Sequence, residues 1–157
     1  MPSLPSNPAV LVVGATGALG KKIVQSFVRE KAAGKTFSLK AMSRRTQTDD
    51  QGQVEWVVGD MLKQDTLPNV LKGVDIVVCS ANGYMKETLD ADIAGNRNLI
   101  EACSKAGVKR FVFLSIVACE QALSVPHFEA KYIAEELLKK SPMPFVSLRA
   151  PAFLVCF

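Results

Sequence analysis

The stretch Val10-Leu11-Val12-Val13-Gly14-Ala15-Thr16-Gly17-Ala18-Leu19-Gly20 constrains this chain more than any other. Four aliphatic residues run straight into three glycines spaced three apart, and an amphipathic segment, residues 21–31, follows at once. An apolar strand, a glycine turn and a helix start in succession give such a glycine pattern its meaning. The turn must be tight, a phosphate must approach main-chain N–H groups closely, and the helix must pack near the strand. The first helical turn then offers unpaired N–H donors and the positive end of its dipole to a pyrophosphate. A dinucleotide site is therefore expected on Gly14, Ala15, Thr16, Gly17, Ala18, Leu19 and Gly20.

The rest of the chain repeats the alternation of strand and helix. Buried strands are expected at residues 9–13, 37–42, 54–58, 75–79, 109–114 and 145–148, because each run is short and mostly apolar. Helices are expected at 18–31, 64–71, 88–105 and 127–140. The first carries Leu19, Ile23, Phe27 and Val28 on one face and stops at Ala33-Gly34. The last turns Phe128, Ile133, Ala134, Leu137 and Leu138 inward. With 157 residues there is material for one core and not two. The pattern predicts a single α/β domain over residues 9–151, a doubly wound, Rossmann-like parallel sheet of about six strands in the order 3-2-1-4-5-6. Residues 1–8 read as a disordered leader and 152–157 as an apolar tail.

In open parallel sheets ligands bind outside the carboxyl ends of the strands. Those ends carry the glycine turn, Ser43-Arg44-Arg45, Gly59-Asp60 with Met61 beside them, Ser80-Ala81-Asn82-Gly83, and Ser115. The second strand end discriminates between cofactors. A carboxylate there bonds the ribose 2′-hydroxyl of NAD, whereas a guanidinium accommodates the 2′-phosphate of NADP. No carboxylate occurs between Lys31 and Thr48, and Arg44-Arg45 occupy the position, which favours NADP over NAD. Asp60 reads equally as an acceptor for the adenine amino group or as a turn cap. Asn82-Gly83 reads as a polar lining of the cofactor's middle or as a plain turn.

Composition narrows the remaining classes. The net charge of +4 is spread over pairs such as Lys21-Lys22, Lys109-Arg110 and Lys139-Lys140, without the aromatic-interleaved stripe of a nucleic-acid binder. Four cysteines lack metal-like spacing and His127 is the only histidine, so no metal site is expected. Cys79 and Cys103 read as buried thiols. No apolar run reaches membrane-spanning length, and the first eight residues lack the apolar core of a signal peptide. A cytoplasmic, reducing location is the resulting expectation.

The glycine turn, Gly59-Asp60, Gly95-Asn96-Arg97-Asn98-Leu99-Ile100-Glu101-Ala102, Val108-Lys109-Arg110-Phe111-Val112-Phe113-Leu114-Ser115 and residues 131–151 together resemble a known family. It is the NmrA-like group of atypical short-chain dehydrogenase/reductases, closest in look to plastid and cyanobacterial photosystem assembly factors and their divinyl-reductase relatives. The resemblance covers about residues 9–153. It implies that the glycine turn and Arg44 hold phosphates, that Asp60 approaches adenine, and that Ala81 and Asn82 line the path from adenosine to nicotinamide. It also implies that Ser115 is the family's end-of-strand serine and Lys131 the lysine that holds the nicotinamide ribose. In fully equipped relatives a tyrosine stands four residues before that lysine; here it is His127. Residues four apart share a helix face, and a histidine can move protons near neutral pH. Tyr132 points to a different side of the helix.

The activity implied is hydride transfer from NADPH to a small organic acceptor, with Ser115 and Lys131 orienting it and His127 as acid. The alternative is a non-catalytic, NADP-binding redox sensor or assembly factor that contacts a protein. Family members continue past the sixth strand into a segment that builds the substrate pocket. Here residues 152–157 are almost wholly apolar and read as the start of that missing segment, through a truncated reading frame or an alternative product, or as a tail that pairs with a partner; aggregation or self-association through them is expected.

Overall fold

The computed structural model describes residues 3–48, 52–83 and 89–151. The strands are β1 (Ala9–Val13), β2 (Ser38–Ser43), β3 (Glu55–Val58), β4 (Ile76–Cys79), β5 (Arg110–Ile116) and β6 (Phe145–Ala150). They form one parallel sheet in the order β3-β2-β1-β4-β5-β6, as the βα alternation predicts. The reversal at β1 puts the glycine turn between the two halves of the sheet. β1 pairs with β2 on one side and β4 on the other, in a register that sets Val12 beside Ala41 and Val78. Leu11, Val12 and Val13 are wholly buried, because both faces of this central strand are covered.

Alternation along the strands divides the interior into two cores. Leu11, Val13, Val77, Phe111 and Phe113 face the helices α2 (Leu67–Leu71), α3 (Gly95–Ala106) and α4 (Pro126–Lys140). Val10, Val12, Leu39, Ala41 and Val78 face α1 (Ala18–Ala32), whose Ile23, Val24, Phe27 and Val28 complete the second core. The cover is uneven. Val146 and Leu148 of edge strand β6, registered beside Val112 and Leu114, are 42% and 49% exposed on the α1 side.

Three departures from the expected elements matter for the site. The third helix is not regular throughout: residues 89–94 form a wider π turn before α3. Asn96 explains part of this, because its side-chain amide donates to the Asp92 carbonyl at 2.6 Å, an acceptor a regular turn would leave to a backbone N–H. Thr88, where the helix was expected to start, lies outside the described residues. β6 runs two residues beyond Leu148, since Ser115 and Ile116 pair with Arg149 and Ala150. The inward face of α4 also differs: Ala130, Lys131, Ala134, Glu135 and Leu138 are buried, whereas Phe128 and Ile133 are only half-buried.

The leader's residues 1–2 and the apolar tail 152–157 lie outside the described residues. Cys79, Cys103 and Cys119 are free and buried. Among the described residues no helix is long and apolar enough to cross a membrane.

Candidate dinucleotide site

The glycine turn closes on itself and against the end of β4. Gly17 donates its N–H to the Gly14 carbonyl at 3.0 Å, and Lys21 donates to Gly17 at 2.9 Å as α1 begins. Gly14 adopts φ +81°, and a Cβ there would fall 2.6 Å from the Ala81 nitrogen. A Cβ on Gly20 would fall 2.0 Å from the Gly14 carbonyl oxygen. Both obstacles are backbone, which cannot rotate away. The main chains of the turn, the helix and the β4 exit are therefore as close as glycine alone permits. No side chain caps α1, and its first turn carries no acidic residue, so the positive helix end faces the crevice uncompensated. Ala15 is buried, Leu19 half-buried, and Thr16, Gly17 and Ala18 are exposed.

The neighbouring strand ends gather around this turn. Ser43 is buried; its hydroxyl accepts the Arg45 N–H at 3.2 Å and its carbonyl accepts the Gly59 N–H at 2.9 Å. The Arg44 and Arg45 side chains project from this braced turn, exposed and without an ion pair among the described residues. One Asp60 carboxylate oxygen accepts the Leu62 N–H at 3.0 Å, which is the turn-capping arrangement. Gly59 is packed against Val70 and Met42, and the Met61 carbonyl accepts from Asn98 at 2.9 Å, so these two shape the floor rather than the rim.

Ala81, Asn82 and Gly83 leave β4 under the control of two buried ionisable side chains. Lys131, 4% exposed, donates to the Ala81 carbonyl at 3.3 Å and lies 4.9 Å over the Phe113 ring. Asp92, 2% exposed, accepts the Gly83 N–H through Oδ1, while its Oδ2 has no hydrogen-bond partner among the described residues. Burial pushes the Lys131 ammonium below its ordinary value, opposed by Cys79 and Asp92. Burial likewise pushes the Asp92 carboxyl up, opposed by the Gly83 N–H, Lys131 and His127. Asn82 is exposed. His127, one turn before Lys131, is exposed at the start of α4, its ring tilted at 60° to that of Phe128 with centres 4.8 Å apart.

Ser115 sits elsewhere in the network. It is buried, its hydroxyl is 3.9 Å from the Cys119 sulfur, and it helps to hold the Glu135 carboxyl in its charged form. Glu135 also accepts from Ser147 at 2.7 Å and from Arg149 at 3.0 and 2.6 Å. Arg149 reaches on to Glu120 at 2.9 Å. Burial alone would raise the Glu135 carboxyl, but bonds from Arg149, Ser115 and Ser147 outweigh it and hold it down at about 2. The structure thus joins Gly14, Ala81 and Lys131 by direct approach, and ties Ser115 to a separate charged knot between α4 and β6. Two concavities of about 520 and 480 Å³, lined in part by Lys31 and Phe37 and by Pro68 and Lys105, include no residue of the glycine turn.

Sequence reasoning did not single out Asp92, Asn96, Glu135 or Arg149. A signal was present for two of them: Glu135 follows Lys131 by four residues on an otherwise apolar helix face, and Asn96 follows Asp92 by four.

The pattern of the NmrA-like family matches residues 6–157. The chain is 30% identical to the chloroplastic protein high chlorophyll fluorescence phenotype 244 of Arabidopsis thaliana, over 98% of this chain and 39% of that one. It is 32% identical to the photosystem II assembly factor Ycf39 of Synechocystis, over 92% of this chain and 45% of the relative. The chain thus spans less than half the length of these relatives. Among solved structures, triphenylmethane reductase of Citrobacter, complexed with NADP(H), superposes with a TM-score of 0.78 at 23% identity, covering 93% of this chain and 50% of that one. Other solved structures of this fold hold NAD.

Proposed function

This chain belongs to the NmrA-like family, and on that premise we propose that it binds NADP(H) across the carboxyl ends of β1, β2 and β4. One observation carries the reading: at Gly14 and Gly20 the space for a Cβ is already taken by backbone, directly beside an uncapped helix N-terminus. That cradle fits a pyrophosphate, which needs main-chain donors within reach and no side chain in the way. Gly14, Ala15, Thr16, Gly17, Ala18, Leu19 and Gly20 hold the phosphates. Asn82 and the 81–83 backbone line the central path, and Lys131 serves the nicotinamide end. Ser43, Gly59 and Met61 brace the adenosine end, and the second oxygen of Asp60 serves the adenine.

Arg44 and Arg45 carry the preference for NADP. Their guanidinium groups are exposed at the end of β2, free of ion pairs among the described residues, and the sequence from Lys31 to Thr48 carries no carboxylate to repel a 2′-phosphate. The double variant Arg44→Ala, Arg45→Ala is expected to weaken NADPH binding by about 2 kcal/mol, roughly thirtyfold, the order of one charge-assisted hydrogen bond rather than two because both side chains are exposed. NADH binding should change little. Equal losses for the two cofactors, measured by parallel fluorescence titrations, overturn the assignment.

A bound nicotinamide supplies a hydride, and the catalytic form of the proposal is reduction of a small organic acceptor. Lys131 orients the nicotinamide end, His127 is the exposed proton donor at the crevice mouth, and Ser115 supports the substrate side. A second reading rests on one observation: the Ser115 hydroxyl is buried and stands beside the Cys119 sulfur at 3.9 Å, next to the charged knot of Glu135 and Arg149. That favours a non-catalytic, NADP-binding assembly factor or redox sensor that contacts a protein, in keeping with the Synechocystis relative, a photosystem II assembly factor. Incubation with NADPH and a panel of quinones, enones and aldehydes separates the two. Loss of NADPH absorbance supports the reductase; saturable binding with no consumption supports the sensor. The buried free thiols suit a reducing compartment, whether cytoplasm or the plastid interior suggested by the Arabidopsis relative's name.

A further inference from the structure

The turn that leaves β3 carries Asp60, yet little packing holds it. β3 is an edge strand of four residues, and Val58 at its end is 57% exposed. Leu62, Lys63, Gln64 and Asp65 are exposed as well, and of residues 61–65 Met61 is the one that packs against a core. Most hydrogen bonds of the turn are internal. The Thr66 hydroxyl accepts the Asp60 N–H at 3.1 Å and donates to the Lys63 carbonyl at 2.7 Å. Lys63 in turn donates its N–H to the Asp60 carbonyl at 2.9 Å. Such bonds give the turn its shape but do not place it against the rest of the molecule.

Among the described residues, two ties reach it from outside. At the entry the Ser43 carbonyl takes the Gly59 N–H at 2.9 Å. At the centre Asn98 of α3, 37 residues away in the chain, takes Met61. The Met61 carbonyl can only accept, so the Asn98 atom facing it is the Nδ2 donor, at 2.9 Å. That choice turns the Asn98 oxygen toward Gln64, whose side-chain amide donates to it at 2.6 Å. Both ends of the Asn98 amide are thus used, and its orientation is fixed from two sides. Gly95, one turn earlier on α3, permits the approach, since a Cβ there would stand 3.1 Å from the Met61 Cβ.

We propose that Asn98 is a positioning residue for the adenine end of the site. It relays Gln64 to the Met61 carbonyl, ties the β3 exit turn to α3, and so holds the second oxygen of Asp60 in place for the adenine amino group. Asn98 acts on the base through the backbone of Asp60 and Met61. This role rests on the NADP(H) reading above, whereas the tie itself needs no ligand.

The test has a ligand-free arm and a ligand arm. In the wild-type chain without nucleotide, side-chain amide hydrogen exchange is followed by NMR. It is expected to be at least about fivefold slower at Asn98 than at Asn69 and Asn82, which are exposed. Equal exchange at all three overturns the tie, whether or not the chain binds a nucleotide. In the ligand arm, NADPH is compared with its deaminated analogue, in which hypoxanthine replaces adenine and the amino donor is gone. The wild-type chain should favour NADPH by about tenfold, the order of one hydrogen bond to a charged acceptor near the surface. Asn98→Ala is expected to weaken NADPH to about the level of the analogue and to leave the analogue little changed. A preference kept in full by Asn98→Ala overturns the proposal, as does a loss shared equally by both nucleotides, which would mark a general loosening of the fold. Equal wild-type affinity for the two nucleotides overturns it as well. Should Asn98→Ala fail to fold, Gln64→Ala, at the exposed end of the relay, must also lower the preference; full retention there overturns the relay. A wild-type chain that binds neither nucleotide counts against the NADP(H) reading, and the exchange arm then decides the tie alone.

Discussion

Gly20→Ala is expected to abolish measurable NADPH binding and to destabilise the chain by about 3 kcal/mol, toward the upper end of overpacking costs. The new methyl group would stand 2.0 Å from the Gly14 oxygen, 2.7 Å from the Gly14 carbonyl carbon and 2.8 Å from the Ala15 Cα. All three are main-chain atoms in the turn that joins the central strand to α1. Relief requires α1 to move away from β1, which opens the second core at Val10, Val12, Ala15 and Val24. The same movement carries the first helical N–H groups away from any phosphate. Both consequences have one cause, so a thermal melt and a nucleotide titration should change together. Gly17→Ala is the control for stability alone: its nearest contact is the Gly14 oxygen at 3.3 Å, a distance that small shifts accommodate, so its melt should stay near wild type even though its new methyl group would stand in the proposed phosphate cradle. A Gly20→Ala protein with wild-type stability and affinity would mean that the turn is looser than described.

Glu135 is the second position of large effect. Glu135→Ala is expected to cost about 3 kcal/mol, the lower end for breaking a buried ion pair, because Arg149 is itself partly exposed. Arg149 would keep Glu120, but Ser147 would lose its acceptor, and the pairing of β5 with β6 would lose its tie to α4. The pH dependence has a definite sign. The folded carboxyl is held at about 2 against an ordinary 4.5, so the unfolded chain binds the proton more readily. The stabilisation is present above pH 4.5 and is lost as pH falls from there toward 2. In Glu135→Gln that part of the acid loss should vanish, leaving a flatter stability curve below pH 4.5 in chemical denaturation. An acid limb identical to wild type would show that the carboxylate carries no such load.

Much of the molecule was legible because it is written in local patterns. Period-two and continuous apolar runs gave six strands, the glycines marked the crossing from β1 to α1, and the βα alternation sufficed for the strand order. The glycine turn lies where the sequence puts it, between β1 and α1, and the structure adds a packing reason for its glycines: Gly14 and Gly20 are held by backbone contact with Ala81 and with each other. The illegible parts depend on partners far away in the chain. The inward face of α4 was read from Phe128 and Ile133, yet Lys131 and Glu135 take it because Ala81, 50 residues away, and Arg149 on β6 offer them bonds there. The π turn escaped notice because its cause, Asn96 bonding back to Asp92, looks in sequence like any polar pair on a helix. Ser115 stands at the predicted strand end, but its place beside Cys119 and the knot of Glu135 and Arg149 requires knowing how α4 crosses β5.

The central claim is that the glycine turn and the arginine pair make an NADP(H) site. Calorimetric titration of the intact wild-type chain with NADPH and, separately, with NADH tests it most directly. Saturable one-to-one binding of NADPH, at least tenfold tighter than NADH and about 1.4 kcal/mol or more in its favour, is the expected result. Absence of saturable binding for both nucleotides, or NADH binding as tightly as NADPH, would contradict it.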